Sequence, residues 1–283
     1  MARLNLRLPD NAPGGLYVDE TCIDCETCRI IAPDIYGDGS GHSFVRRQPT
    51  SAVEKRRALM ALVSCPTASI GAPWKAGEAA RAFPEPIDGP VHYCGYASEL
   101  SYGASSYLAV RPGGNVMIDS PRAAGPLLRR IEGLGGVRFL FLSHRDDVAD
   151  HRALHARFGC ERMLHAADVS TDTREIERQP EGNAAFPLDE GLTVIPVPGH
   201  TRGSCALLLE DRYLFTGDHL WGDGDGHLAM SRSVCWYSWN DQVESLRRLL
   251  DYRFDWVLPG HGRPLHLPAE QMKREIERLL ERS

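Results

Sequence analysis

Two groups of residues in this chain have types and spacings that can do chemistry. The first is a set of four cysteines. Cys22, Cys25 and Cys28 form C-x2-C-x2-C, and Cys65 is followed directly by Pro66. Thiolates at this spacing suit one iron–sulfur cluster. A structural zinc more often takes two separate C-x2-C pairs than a triplet plus a distant Cys-Pro. Disulfides suit small secreted domains, and residues 1–11 carry neither the basic region nor the apolar stretch of a secretory leader. The second group is histidine and aspartate. Run 139–142 leads into Ser143, His144, Asp146, Asp150 and His151, and run 192–198 leads into Gly199-His200-Thr201. Runs 213–217 and 256–260 lead into Asp218 and His261. Four strand-like runs thus each deliver a His or Asp just past their C-terminal end. Imidazole and carboxylate suit zinc or iron, and a rim of strand ends lets separate loops converge on one point.

The elements that position these groups follow from composition and pattern. With 283 residues the chain is long enough for two domains of unequal size. A net charge of −6, with no dominant basic stripe, argues against a nucleic-acid partner. The longest apolar run, 137–142, is too short to span a bilayer, so no membrane partner is expected. With no leader and an oxidation-sensitive cluster, a reducing cytoplasm is the expected location. Cys94, Cys160, Cys205 and Cys235 stand singly among apolar or aromatic neighbours and read as free thiols without a chemical role. Residues 72–90 hold four prolines and two glycines and read as a linker without regular structure. Beyond them, strand-like runs at 107–110, 116–118, 139–142, 192–197, 205–209 and 213–215 alternate with helical spacing at 126–131, 150–158, 241–250 and 269–280. The fold class is α/β, with helices available to cover two sheet faces.

The cysteine segment, over about residues 14–72, resembles a single-cluster ferredoxin of the 4Fe–4S type. Two-cluster ferredoxins use C-x2-C-x2-C-x3-C-P, the last cysteine serving the other cluster. Here Ala32 stands at that last position before Pro33, and Lys55, Ala58 and Ala61 stand at the other three. One site has therefore lost all four ligands while the other keeps Cys22, Cys25, Cys28 and Cys65.

The histidine-bearing part, about 91–265, resembles the metallo-β-lactamase fold in its glyoxalase II-like hydrolase branch. Gly199-His200-Thr201, Thr216-Gly217-Asp218 and Pro259-Gly260-His261 match three of the family's motifs intact. The resemblance implies an αββα sandwich with a metal site at one sheet edge, preceded by a small α+β ferredoxin-like domain. The implied division is 1–72 ferredoxin-like, 73–90 linker and 91–283 metallo-β-lactamase fold. The family's H-x-H-x-D-H motif is altered. Read from His144, the second histidine position holds Asp146, and Asp150-His151 arrive two residues late. The resemblance assigns His144 and His200 to one metal, Asp150, His151 and His261 to another, and Asp218 to bridge them. Asp146 is either a ligand or a partner of one, and a mononuclear site stays open.

His155, His165, His219 and His227 read as ordinary surface histidines, and Glu175 and Glu177 as solvated. Asp223 and Asp225 lie in a glycine-rich loop without EF-hand spacing. Trp236, Tyr237 and Trp239 either wall a substrate pocket or pack a helix, with packing expected for at least two of them.

The implied chemistry is hydrolysis of an ester, thioester or phosphoester by metal-activated water, with Asp150 or Asp218 handling the proton. The chain has no G-x-S-x-G elbow, so no serine nucleophile is expected. A second reading follows from Asp146, because flavodiiron proteins also replace that histidine by a carboxylate. A cluster feeding a di-iron centre would then reduce a small acceptor, and a redox partner protein would supply the electrons. Against this, no flavin-binding domain is present, and the carboxylate is Asp in a shifted register. A third reading makes the cluster a structural or redox-sensing element that gates the hydrolase. The expected cofactors are one 4Fe–4S cluster and one or two Zn or Fe ions.

Overall fold

The computed structural model describes residues 1–283, and its local order begins with capping chemistry. Helix Ala52–Ser64 starts at Ser51, whose hydroxyl accepts from the Glu54 backbone N–H while the Glu54 carboxylate accepts in return from Ser51. This reciprocal cap satisfies donors that the first helical turn leaves open. The helix ends at Cys65, where Pro66 prevents continuation. Ala32, Ala58 and Ala61, three of the lost ligand positions, are buried almost completely. Those positions now belong to apolar packing. Strand Tyr17–Val18 pairs antiparallel with Ile70–Gly71, and a Cβ on Gly71 would fall 2.3 Å from the Tyr17 ring. Hairpin Tyr36–Asp38 with Ser43–Val45 completes this segment.

The chain groups into two units, residues 1–138 with 149–159, and residues 139–148 with 160–283. In the first, strands Glu85–Asp88, Val91–Tyr93, Tyr107–Ala109 and Val116–Ile118 pair as successive antiparallel neighbours. Stretch 72–90 is therefore not devoid of structure. It forms the short 3-10 helix Gly77–Arg81 and the strand Glu85–Asp88. Pro86 is tolerated because this strand has no neighbour on its far side, where a missing N–H costs nothing. Helix Gly125–Gly133 carries Pro126 in its first turn, where proline fits. Helix His151–Phe158 follows Asp150 and stops at Gly159, whose φ of +64° the achiral residue adopts freely.

In the second unit a six-stranded sheet runs in the order Phe186–Asp189, Leu192–Pro196, Cys205–Leu209, Tyr213–Gly217, Trp256–Pro259, Leu265–His266. The first three junctions are antiparallel, while Tyr213–Gly217 and Trp256–Pro259 are parallel. Strands Leu192–Pro196, Tyr213–Gly217 and Trp256–Pro259 therefore point the same way, and their C-terminal ends share one edge. Separately, Phe139–Phe141 pairs in parallel with Glu161–Met163. Helices Trp239–Arg248 and Ala269–Arg282 cover one sheet face through Leu246, Met272, Ile276 and Leu279, packed with Ile195, Leu208, Leu214 and Val257. Each such side chain is worth about 1.5–3 kcal/mol on full burial, so this core holds the edge in place. No helix is long and apolar enough to cross a membrane.

Candidate functional site

Cys22, Cys25, Cys28 and Cys65 line one small cavity with Val18, Ile23 and Ile70, and none of the four is in a disulfide. The backbone N–H groups of Ser43 and Ser69 donate to the sulfurs of Cys22 and Cys65 at 3.4 and 3.3 Å. Burial pushes the Cys25 thiol up to about 11 and raises Cys28 further. A bare thiolate is thus disfavoured there, and a cationic partner is what would ionise the set. Four convergent sulfurs, apolar walls and N–H donors aimed at sulfur all fit an iron–sulfur cluster.

The loop that follows strand Val91–Tyr93 closes against these cysteines. The Thr27 hydroxyl donates to the Gly103 carbonyl at 3.1 Å, and the Tyr102 hydroxyl donates to the Ile23 carbonyl. A Cβ on Gly103 would meet Cys25 Cβ at 2.5 Å and Sγ at 2.8 Å, and its φ is +87°. Gly103→Val must therefore push the loop off Cys25. The expected result is a cluster bleached severalfold faster in air, read from the decay of its visible absorption, in a chain that still loads iron anaerobically. Loss rates equal to the parent's would mean that the loop does not shield the cluster.

Arg122 ties the same segment to the neighbouring loop. Its guanidinium donates to the Val63 carbonyl at 2.8 Å and stacks 5.7 Å above the Tyr96 ring, while Tyr96 N–H donates to Ser64 Oγ. One residue on, the Ala123 N–H donates to the Asp150 carboxylate at 2.8 Å. Asp150 and His151, both candidates from the sequence, belong to this unit. Asp150 is held by the Ala123 backbone, and His151 is buried in the first turn of its helix.

The second unit gathers His144, His200 and Asp218 so that one ligand atom from each lies within 4.8 Å of the others. Asp218 Oδ2 stands 3.7 Å from His144 Nε2, 3.6 Å from His200 Nε2 and 3.9 Å from His261 Nε2. Asp146 Oδ2 lies 3.5 Å from His200 Nε2 and 3.9 Å from His144 Nε2, and its side chain is half exposed. The two imidazoles meet edge to face at 4.7 Å. His200 Nδ1 is 2.6 Å from the Val234 carbonyl and so carries the proton it donates. Its Nε2 lone pair then faces Asp146 and Asp218. Nε2 of both His144 and His200, and Oδ1 of Asp218, are buried without a hydrogen-bond partner. Buried polar atoms are normally satisfied, so this convergence fits a cation.

Electrostatics agree. Burial holds the His144 imidazole below its ordinary pKa against the pull of Asp218. Burial also opposes charge on His200, but the Asp146 carboxylate 3.5 Å from its Nε2 and the Asp218 charge outweigh it and raise the pKa. Burial would raise Asp218, yet His261, His144 and His200 together keep its carboxyl below the usual range.

Glycines make this crowding feasible. A Cβ on Gly217, whose φ is +50°, would reach Ser143 Oγ at 2.5 Å, and one on Gly199 would overlap Gln242. On Gly260 it would strike Asp218 Oδ1 and Asp147 Oδ2 at 2.7 and 2.8 Å. The G-H, G-D and G-H pairs are thus a steric requirement of the site.

Two residues were not legible beforehand. Asp147 is buried beside Gly260, with its Oδ2 4.0 Å from His144 Nδ1. Asp168 is also buried; its carboxylate accepts from Gly203 N–H at 2.8 Å, Arg145 N–H at 3.1 Å and the Thr201 hydroxyl. It thereby joins the turn after His200 to the loop after His144. Such supports outside the ligand shell are typically worth about 10–100-fold in metal affinity. Asp168→Asn is expected to weaken zinc binding by about that factor, measured by competition with a chelator. An unchanged affinity with a lowered melting temperature would reduce Asp168 to a structural brace.

Of the other expectations, those for His165, His219, Glu177, Trp236 and Tyr237 are corrected. His165 and His219 are buried, not surface residues. His165 spends both nitrogens on Gly182 O and Ala167 N–H. Burial, His200 and Arg248 lower His219 to about 3, and neither of its nitrogens has a hydrogen-bond partner. His227 is exposed and sits 3.1 Å from Glu275. Glu177 is not simply solvated, because it holds the buried Arg162 guanidinium at 2.7 Å. Trp236 and Tyr237 are exposed rather than packed, because their N–H groups bind the His200 carbonyl and hold this stretch outside the core. Asp223 closes a turn by accepting from Asp225 and His227 N–H. Cys94, Cys160 and Cys205 are buried thiols outside any disulfide; burial pushes Cys94 to about 12 and Cys160 to about 11.

Comparison with known proteins bears on both groups. Residues 18–72 match the 4Fe-4S single cluster domain of ferredoxin I. Hydroxyacylglutathione hydrolase of Stenotrophomonas maltophilia (strain R551-3) is 34% identical over 117 residues, 41% of this chain and 45% of that protein. The protein of the same name from Mesorhizobium japonicum is 31% identical over 143 residues, 49% of this chain and 53% of that protein. The matches thus span about half the length of these relatives. Among solved structures, the DIM-1 metallo-beta-lactamase superposes with a TM-score of 0.51 at 16% identity, covering 69% of this chain and 96% of that one. The BLEG-1 B3 metallo-beta-lactamase gives 0.51 at 15%, covering 62% and 93%. These likenesses give the α/β sandwich fold, and residues 91–278 match the metallo-beta-lactamase superfamily model. The chain belongs to the metallo-beta-lactamase superfamily.

Proposed function

We propose that the chain is a metal-dependent hydrolase of an ester, thioester or phosphoester, with an attached 4Fe–4S electron-transfer or redox-sensing segment. The observation that carries the reading is the convergence of Asp218 Oδ2 with the buried, unpartnered Nε2 atoms of His144 and His200. A zinc or iron ion held there would supply Lewis acidity and water that ionises near neutral pH. The chain's own groups set the rest. Val234 O fixes the His200 tautomer. Asp218, kept anionic by three imidazoles, is placed to orient a proton. Asp146, half exposed beside both histidines, can pass one to solvent. The partial relatives named hydroxyacylglutathione hydrolase favour acyl substrates over phosphoesters. The proposed partners are a small-molecule substrate and a redox protein, and the proposed setting is a reducing cytoplasm.

A second reading, a di-iron oxidoreductase, is favoured by Asp146, a carboxylate where the superfamily resemblance places histidine. Metal counting after anaerobic purification tests both. About four irons with one or two zincs per chain, together with hydrolysis of a thioester panel, support the hydrolase. About six irons, little zinc and no hydrolysis give the oxidoreductase the lead. The same count decides between one bound ion and two.

A further inference from the structure

A cavity of about 540 Å³ opens within the second unit, lined by none of His144, Asp146, His200, Asp218 or His261. Its wall includes Pro198, Arg202, Tyr237, Asp241 and Arg248. Asp241 and Arg248 sit seven residues apart on helix Trp239–Arg248, on one face and roughly 10 Å apart along the axis. Along that helix the cavity thus offers a carboxylate at one end and a guanidinium at the other, and the exposed Glu181 adds a second carboxylate to its wall. Arg202, on the turn after His200, adds a second guanidinium. The structure gives neither guanidinium a hydrogen bond or ion pair, although Arg248 is half-buried. Guanidinium planes favour carboxylate, and an opposed aspartate favours ammonium. Pockets of this volume hold molecules of a few hundred daltons.

We infer that this cavity is a binding site for an extended zwitterion of peptide length, with its carboxylate at Arg248 and Arg202 and its ammonium at Asp241. An extended chain covers roughly 3.3–3.6 Å per residue, so two or three residues bridge the two ends once side-chain reach is allowed for. The site is distinct from the metal group but shares a wall with it. Pro198 and Arg202 bracket Gly199-His200-Thr201, and Tyr237 N–H donates to the His200 carbonyl. An occupant therefore bears on the turn that carries His200. The inference does not depend on the hydrolase reading.

The test is calorimetric titration of the full-length chain with triglycine, N-acetyltriglycine and triglycine amide. Triglycine is expected to bind, and each blocked form at least tenfold more weakly. Arg248→Met should cost triglycine binding tenfold or more, and Asp241→Asn should abolish the preference for a free amine. His144→Ala, which lies outside the cavity, should leave the titration unchanged. Absence of triglycine binding overturns the inference, as do equal binding of all three probes or loss of binding in His144→Ala alone, which would mean chelation at the metal group.

Discussion

Asp218→Asn is expected to remove metal from the His144–His200 group and to lower hydrolysis by more than about a hundredfold, since even supporting residues cost 10–100-fold. The change keeps shape and replaces one carboxylate oxygen with an amide. Oδ2 is the atom that stands within 4 Å of three imidazoles. Without its charge the site keeps neutral nitrogen donors but loses the anion that offsets a cation's desolvation. Calorimetry separates this from unfolding. In the parent chain, excess zinc should stabilise the fold by mass action, by about 2.7 kcal/mol at a hundred times Kd, and so raise the melting temperature. In Asp218→Asn that rise should vanish, while the metal-free melting temperature changes little, because the sheet core does not include Asp218. A variant that still melts higher with zinc would show that the ion does not need Asp218 and would sink the proposed bridging role.

Much of this site was readable because it obeys a local rule. Gly199-His200, Gly217-Asp218 and Gly260-His261 each pair a candidate ligand with a glycine that must admit a neighbour, and both residues are adjacent in sequence. Strand ends were readable for the same reason, since 205–209 is a continuous apolar run and became Cys205–Leu209, buried throughout. Asp168 was not readable. Its partners Arg145, Thr201 and Gly203 lie 23 to 35 residues away, and only the parallel pairing of Phe139–Phe141 with Glu161–Met163 brings its loop alongside His144. Stretch 72–90 failed differently: its prolines speak of local propensity, whereas strand Glu85–Asp88 is stabilised by pairing with Val91–Tyr93. Trp236 and Tyr237 misled because aromatic bulk signals burial on average, while here the backbone hydrogen bonds to His200 fix where they stand.

Cys28→Ala should release the cluster and unfold the segment around it. A bound cluster would tie the four cysteine sulfurs to one point, so cluster binding is also folding free energy for residues 17–71. Apart from the capped helix Ala52–Ser64, the regular elements there are short: helix Thr27–Ile31 has five residues and strand Tyr17–Val18 two. Neither persists without tertiary support. Visible absorption and iron should be lost together, and amides of Thr27–Ile31 and Ile70–Gly71 should exchange much faster in deuterium. The loosening should extend to Ala123, because Val63 O and Ser64 Oγ hold Arg122 and Tyr96, and Ala123 N–H holds Asp150. Amides of the sheet strands Leu192–Pro196 and Cys205–Leu209, whose core is the separate cluster around Leu208 and Leu246, should stay protected. Faster exchange confined to the cysteine loops, with Ala123 unaffected, would break the mechanical link from cluster to Asp150 and leave electron transfer as the only route by which the cluster could act on the rest of the chain.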